Sequence, residues 1–231
     1  MEERKIPMVE IFETIEGEGT NAGFATTFIR LFGCNLRCTW CDTPYSYTPA
    51  KPEFYSTIEQ IIRTVDEYKN PKICLTGGEP LLSSINSTNL LNSLSEKDYI
   101  DDIHVETNGA INLKKYHEVR LNNKNWLKKV RFIVDYKLPD SGENEKMIHD
   151  NFDYLNRSDE VKFVIASDED FNFAVNVLNK YHKDGLPLFS PVWESMPPSK
   201  LAAKILKTQL TKVKLNLQLH KIIWDPQKRG V

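Results

Sequence analysis

Short apolar runs alternate along the chain with segments whose apolar residues recur at helical spacing. Residues 7–12, 26–32, 72–76, 102–106, 130–135, 160–165 and 187–192 read as strands. Residues 213–219, alternating apolar with polar, read as a last one. Between them, Ile58, Ile61, Ile62, Val65 and Tyr68 mark a helix, and Ser56 followed by Glu59 predicts its capping box. Phe171, Ala174, Val175, Leu178 and Tyr181 mark a second helix behind Ser167 and Asp170. Leu201, Ile205 and Leu210 mark a third after Pro197-Pro198-Ser199, and 89–94 is a weaker case. Strands alternating with helices predict an α/β fold with a mostly parallel sheet and ligands at the carboxyl ends of its strands. The turns Gly77-Gly78, Thr107-Asn108-Gly109 and Lys137-Leu138-Pro139 each follow a predicted strand, so they should share one rim. The irregular stretches 44–55 and 137–146 read as lids or plain loops.

Composition narrows the class. Of 231 residues, 40% are apolar and 27% charged, too apolar for a disordered chain and enough for one sizeable domain spanning 1–231. Thirty Lys and Arg against thirty-two Asp and Glu leave a charge of −2, which argues against a nucleic-acid backbone as partner. No run approaches the roughly 18–20 apolar residues of a membrane span. The start MEERKIPMVEIF lacks the apolar stretch of a secretory signal, so a reducing cytoplasmic compartment is expected.

In such a compartment clustered thiols hold metal or do redox chemistry more often than they form disulfides. Cys34, Cys38 and Cys41 fall within eight residues, directly after a predicted strand. The spacing Cys-x3-Cys-x2-Cys lets one loop present three thiolates to one face of an iron–sulfur cube, leaving one iron without a side chain and open to a ligand. A structural zinc site is the bland alternative and needs a fourth ligand, Cys74 or a histidine. Chance clustering of buried thiols is another. Cys74, mid-strand, reads as a small core residue.

With Trp40 before the last cysteine, this loop resembles the signature of the radical S-adenosylmethionine (SAM) superfamily. The resemblance implies a partial (β/α) barrel and a 4Fe–4S cluster on Cys34, Cys38 and Cys41. It also implies a fourth iron that chelates S-adenosylmethionine and cleaves it to a hydrogen-abstracting 5′-deoxyadenosyl radical. Thr76-Gly77-Gly78-Glu79-Pro80 is similar to the superfamily's glycine-glycine-glutamate motif, which implies that Gly78 and Glu79 hold the methionine amino group. Glu106, ending a strand, reads as a contact to ribose or substrate. Asp135-Tyr136-Lys137 resembles a segment that touches the adenosyl moiety, and Trp40, Cys41 and Asp42 join that cofactor set.

Further residues narrow the resemblance to the 7-carboxy-7-deazaguanine synthase family. They are 12–19 (Phe-Glu-Thr-Ile-Glu-Gly-Glu-Gly), Arg30 four residues before Cys34, Asp42-Thr43, and the ends 219–224 and 228–231. The implied reaction turns 6-carboxy-5,6,7,8-tetrahydropterin into 7-carboxy-7-deazaguanine with loss of ammonia, assisted by magnesium. Implied partners are a flavodoxin- or ferredoxin-type reductase and a second copy of the chain. The residues suit that substrate. Arg30 offers a planar fork to a carboxylate. Glu18 and the backbone of Ile15, Glu16 and Gly17 can accept from the pterin's guanidine-like edge, Thr76 and His220 complete the substrate set, and Thr43 offers magnesium one hard oxygen. One departure stands out: many family members carry Gln where this chain has Glu16, so either the family contact there is made by backbone or the substrate pose changes. Two rivals remain at this point, a glycyl-radical activase of the same superfamily and a non-enzymatic zinc module.

Overall fold

One face of a long sheet carries a set of buried charges, and strand alternation decides which residues stand on it. The computed structural model describes residues 5–225 and 228–230. Residues 1–4 of the N-terminal stretch and residue 231 of the terminal motif lie outside the described residues. In chain order the elements are β1 (Ile6–Ile15), β2 (Ala25–Leu31), β3 (Phe54–Ser56), α1 (Ile58–Tyr68), β4 (Lys72–Gly77), α2 (Ser84–Ser95), β5 (Asp102–Thr107), α3 (Lys114–Asn122), α4 (Lys124–Lys129) and β6 (Val130–Asp135). There follow β7 (Glu160–Ile165), α5 (Asp168–Tyr181), β8 (Leu186–Pro191), α6 (Pro198–Lys207), β9 (Lys214–Leu215) and α7 (His220–Ile223).

The nine strands form one sheet in the order β3-β1-β2-β4-β5-β6-β7-β8-β9, with β3 and β9 at its two edges, so the barrel is partial. From β2 to β9 every pairing is parallel. β1 is antiparallel to both β2 and β3. Because side chains alternate across a strand, Ile29, Leu75, Val105, Phe132, Val134, Val161 and Phe163 point to the helix-covered face and form the core with Ile61, Leu91, Trp126, Phe171 and Leu201. Their neighbours Arg30, Thr76, His104, Glu106, Arg131, Asp135, Glu160 and Lys162 take the opposite face.

Several expectations shift locally. The capping box of α1 is Thr57 with Gln60, one residue later than Ser56 with Glu59. Gln60 N donates to Thr57 Oγ1 (3.2 Å) and Thr57 N to Gln60 Oε1 (2.9 Å). Ser56 is taken instead by β3, which pairs it with Ile6 and begins inside the 44–55 stretch that reads as irregular from sequence. The last strand shrinks to Lys214–Leu215, because beyond it Asn216 and Gln218 turn their amides onto Glu18. Helices α3, α4 and α7 carry little helical apolar pattern and were not expected.

Candidate active site

β2 delivers the cysteine loop to the carboxyl-end rim. Leu36 sinks into the core at 1% exposure, while Cys34, Cys38 and Cys41 stay half-buried and unbridged. The neighbouring turns brace the loop. Glu79 N donates to Gly33 O (2.7 Å). A Cβ at Gly78 would lie 2.3 Å from Gly33 O and 2.9 Å from Cys34 Cβ, so only glycine permits this approach. Asn108 Nδ2 donates to Asn35 Oδ1 (2.8 Å) and Cys34 Sγ (3.7 Å). The 137–146 stretch is a buttress: Thr39 N donates to Ser141 O (3.1 Å) and Arg37 N to Glu143 Oε1 (2.5 Å). The three expected turns thus share one rim around the thiols.

The donor set fits an iron–sulfur cluster. Three soft ligands stand on one loop, and Leu36 N (3.4 Å) and Asn108 Nδ2 both point at Cys34 Sγ, as hydrogen bonds to cluster sulfur do. Burial raises the Cys34 thiol and pushes Cys38 up to about 11. Cys74 does not serve as a fourth ligand on this loop. It is fully buried lower on β4, grouped with Glu16 and His104, which removes Cys74 as a fourth ligand for the zinc reading. Its surroundings are polar on one side rather than purely apolar.

Below the rim the sheet face opposite the helices is crowded with charge. Lys162 Nζ lies 3.2 Å from Glu18 Oε2 and 3.6 Å from Asp135 Oδ2, which also meets Lys137 Nζ at 2.8 Å. Burial opposes a charge on Lys162, but Glu18, Asp135 and Glu106 outweigh it and keep the ammonium. Thr76 Oγ1 donates to Glu106 Oε2 (2.6 Å), and burial with Glu16 and Glu18 nearby raises that carboxyl. Asp135 Oδ1 is buried with no hydrogen-bond partner among the described residues, an acceptor left available. Arg30 Nε donates to Glu10 Oε1 (2.8 Å) and its guanidinium stands 5.9 Å from the Phe12 ring centroid; that ion pair does not use the Nη atoms. Glu79 faces inward. Burial pushes its carboxyl up to about 7, although Asn108 N, Leu81 N and Thr107 Oγ1 all donate to it.

Because β1 runs against β2, the glycine-glutamate turn after Ile15 lies at the opposite end from the cysteine rim. There Glu18 receives Asn216 Nδ2 (3.0 Å) and Gln218 Nε2 (2.8 Å). Burial would raise its carboxyl, yet Lys162, Gln218 and His220 hold it at about 2. Leu219 N donates to Gly17 O (3.0 Å), which sets His220 against Gly17. The site is therefore a charged trough between a thiol rim and a floor closed by the C-terminal segment.

Not every expected residue turns a side chain into the trough. Tyr136 is 2% exposed, hydrogen-bonded to His149 Nε2 (2.9 Å) and packed on Phe152 and Phe163, so only its backbone remains for a ligand. Asp42 is exposed, Trp40 half-buried, and Thr43 Oγ1 lies 3.8 Å from Cys41 Sγ. Lys162, Asn216 and Gln218 were missed. Lys162 was detectable, since Glu160 and Lys162 alternate with Val161, Phe163 and Ile165 in a strand otherwise apolar. The two amides carry no local signal.

Residues 28–192 match the Radical SAM superfamily. A 7-carboxy-7-deazaguanine synthase of Clostridium acetobutylicum is 37% identical over 97% of this chain and 98% of its own length. One of Chlorobaculum tepidum is 34% identical over 99% of both chains. The crystal structure of QueE from Escherichia coli superposes with a TM-score of 0.67 at 18% identity, covering 93% of this chain and 94% of that one. Among the described residues no helix is long and apolar enough to cross a membrane.

Proposed function

The chain belongs to the 7-carboxy-7-deazaguanine synthase family of the Radical SAM superfamily, and from that membership we propose that it converts 6-carboxy-5,6,7,8-tetrahydropterin into 7-carboxy-7-deazaguanine with release of ammonia. The observation that carries the reading is three unbridged thiols on a rim above a trough that holds both a fork-shaped cation and acceptors for a guanidine-like edge.

A 4Fe–4S cluster on Cys34, Cys38 and Cys41 would supply the electron that cleaves S-adenosylmethionine and so starts hydrogen abstraction. The chain's own residues bind and orient. Gly78 lets the turn that receives the cofactor's methionine end press directly on the cysteine loop, and the rim turn carrying Glu79 is locked by Asn108 and Thr107. Asp135, Lys137 and Glu106 face the space where an adenosyl group and the substrate would meet. Arg30 takes the substrate carboxylate through its Nη atoms while Glu10 holds Nε. Glu18, kept ionised by Lys162, accepts from the pterin N–H groups, and His220 closes over Gly17. Thr43, whose Oγ1 lies 3.8 Å from Cys41 Sγ, would offer one oxygen to magnesium. A small low-potential reductase delivers electrons, and two copies of the chain form a dimer.

Anaerobic reconstitution with iron and sulfide, followed by product analysis with S-adenosylmethionine and the carboxytetrahydropterin, tests the proposal. The expected result is a brown protein that forms the deazaguanine and ammonia in step. Cofactor cleavage without deazaguanine, from that substrate, overturns it. Arg30→Ala should raise KM for the pterin by about tenfold or more, the weight of one charge-assisted contact.

A further inference from the structure

Glu16, Cys74 and His104 form a wholly buried group whose ligand atoms all lie within 4.8 Å of one another. A metal there would need a ring nitrogen with a free lone pair. His104 has none to offer. Its Nε2 stands 2.9 Å from Glu16 Oε2 and its Nδ1 stands 3.1 Å from Asp102 Oδ2. An ionised carboxylate only accepts hydrogen bonds. Asp102 is ionised, because Arg131 Nε donates to it at 2.7 Å and Asn21 Nδ2 at 2.6 Å. Nδ1 therefore carries hydrogen, and with Nε2 facing the Glu16 carboxylate the geometry is that of an ion-paired imidazolium rather than a metal site.

The pair has a direction. The second oxygen of the same Glu16 carboxylate, Oε1, accepts from Glu18 N at 3.2 Å. A chain of contacts runs from Arg131 through Asp102, His104 and Glu16 to the backbone of Glu18, whose own carboxylate meets Lys162. We propose that His104 is a positioning residue, a permanently charged strut that uses Glu16 to fix the height and orientation of Glu18 in the trough. The inference rests on the reading of Glu18 as a substrate contact.

It also assigns a partner to the unusual Glu16. Only a carboxylate offers a separate oxygen to an imidazolium N–H and to a backbone N–H. A glutamine keeps its single oxygen for Glu18 N and turns its amide N–H groups toward Nε2, which must then give up its proton. The groups facing His104 are Glu16 from the turn after β1, Cys74 from β4, Asp102 from its own strand and, through Asp102, Arg131 from β6; Asn21 Nδ2 approaches Nδ1 at 3.4 Å. Burial disfavours the charge on the ring, but Cys74, Asp102 and Glu16 outweigh that and raise it well above the ordinary value, while burial pushes Cys74 up to about 12.

The test is 15N NMR of histidine-labelled, anaerobically reconstituted protein, with His104 identified by the signals missing from H104Q. Both ring nitrogens should keep imidazolium shifts up to about pH 8, beyond the ordinary histidine value of about 6.5. In E16Q the Nε2 signal should move to the unprotonated position near neutral pH while Nδ1 stays protonated. A neutral His104 ring in the native protein near pH 7, or an E16Q ring that stays charged, overturns the strut. These readouts need no turnover, so they stand or fall separately from the substrate assignment. In turnover, E16Q and H104Q should each raise the pterin KM by about tenfold, more than they lower kcat. The double variant should be no worse than either single one, because one strut cannot be broken twice. Additive KM losses would overturn the coupling.

Discussion

At Gly17 a Cβ would stand 2.4 Å from Nδ1 of His220 and 3.2 Å from its backbone nitrogen. Gly17→Ala must therefore rotate the His220 ring away from the turn, and steady-state kinetics should show a KM increase of about tenfold with the iron content unchanged. Glu18 makes a pH prediction. Its carboxyl sits at about 2 in the folded protein against an ordinary 4.5. Between those values the unfolded chain binds more protons, so the stabilisation is fully present above about pH 4.5 and is lost as pH falls toward 2. Glu18→Gln should remove that slope. Denaturant midpoints taken between about pH 5 and pH 2 should show the native protein losing on the order of 3 kcal/mol more than the variant. Residue type and spacing announced the thiols, the paired glycines and Arg30. They could not announce that Tyr136 faces the core while Asp135 faces the trough, since that depends on the parity of a strand relative to the sheet.

At the level of elements, the cap of α1 separates pattern from structure. Ser56 with Glu59 and Thr57 with Gln60 both satisfy the sequence form of a capping box, and pairing of Ser56 into β3 selects the second. Thr57→Ala should cost about 1 kcal/mol in thermal or denaturant unfolding, whereas Ser56→Ala should leave the cap intact. The parallel strands from β2 to β8 were legible almost to the residue, because buried strands are continuous apolar runs bounded by turn residues. Helices α3 and α4 were not: of α3 only Tyr116 and Arg120 are buried, so its outward face offers no apolar period to read. The stretch 137–146 gave no sign that it buttresses the cysteine loop, because its bonds to Thr39 and Arg37 join residues about a hundred positions apart.

Across the whole molecule, Arg120 of α3 ties the helical layer to the connection before β7. Its Nη1 reaches both oxygens of Asp159 at 2.8 and 2.9 Å, with the side chains 1% and 0% exposed. Arg120→Ala strands a buried carboxylate and should cost about 3–5 kcal/mol, measured by urea unfolding far from the trough. Residues close along the chain set the alternation of strand and helix, the shared rim of turns and the three-thiol loop, so local pattern was enough to read them. Only the tertiary structure decided that the glycine-glutamate turn lies opposite that rim, that Asn216 and Gln218 clasp Glu18, and that Glu16 is paired with His104. Those contacts span from 88 to 200 positions. Their partners are chosen by strand direction and by the need of each buried charge for a counter-charge, which no local pattern encodes.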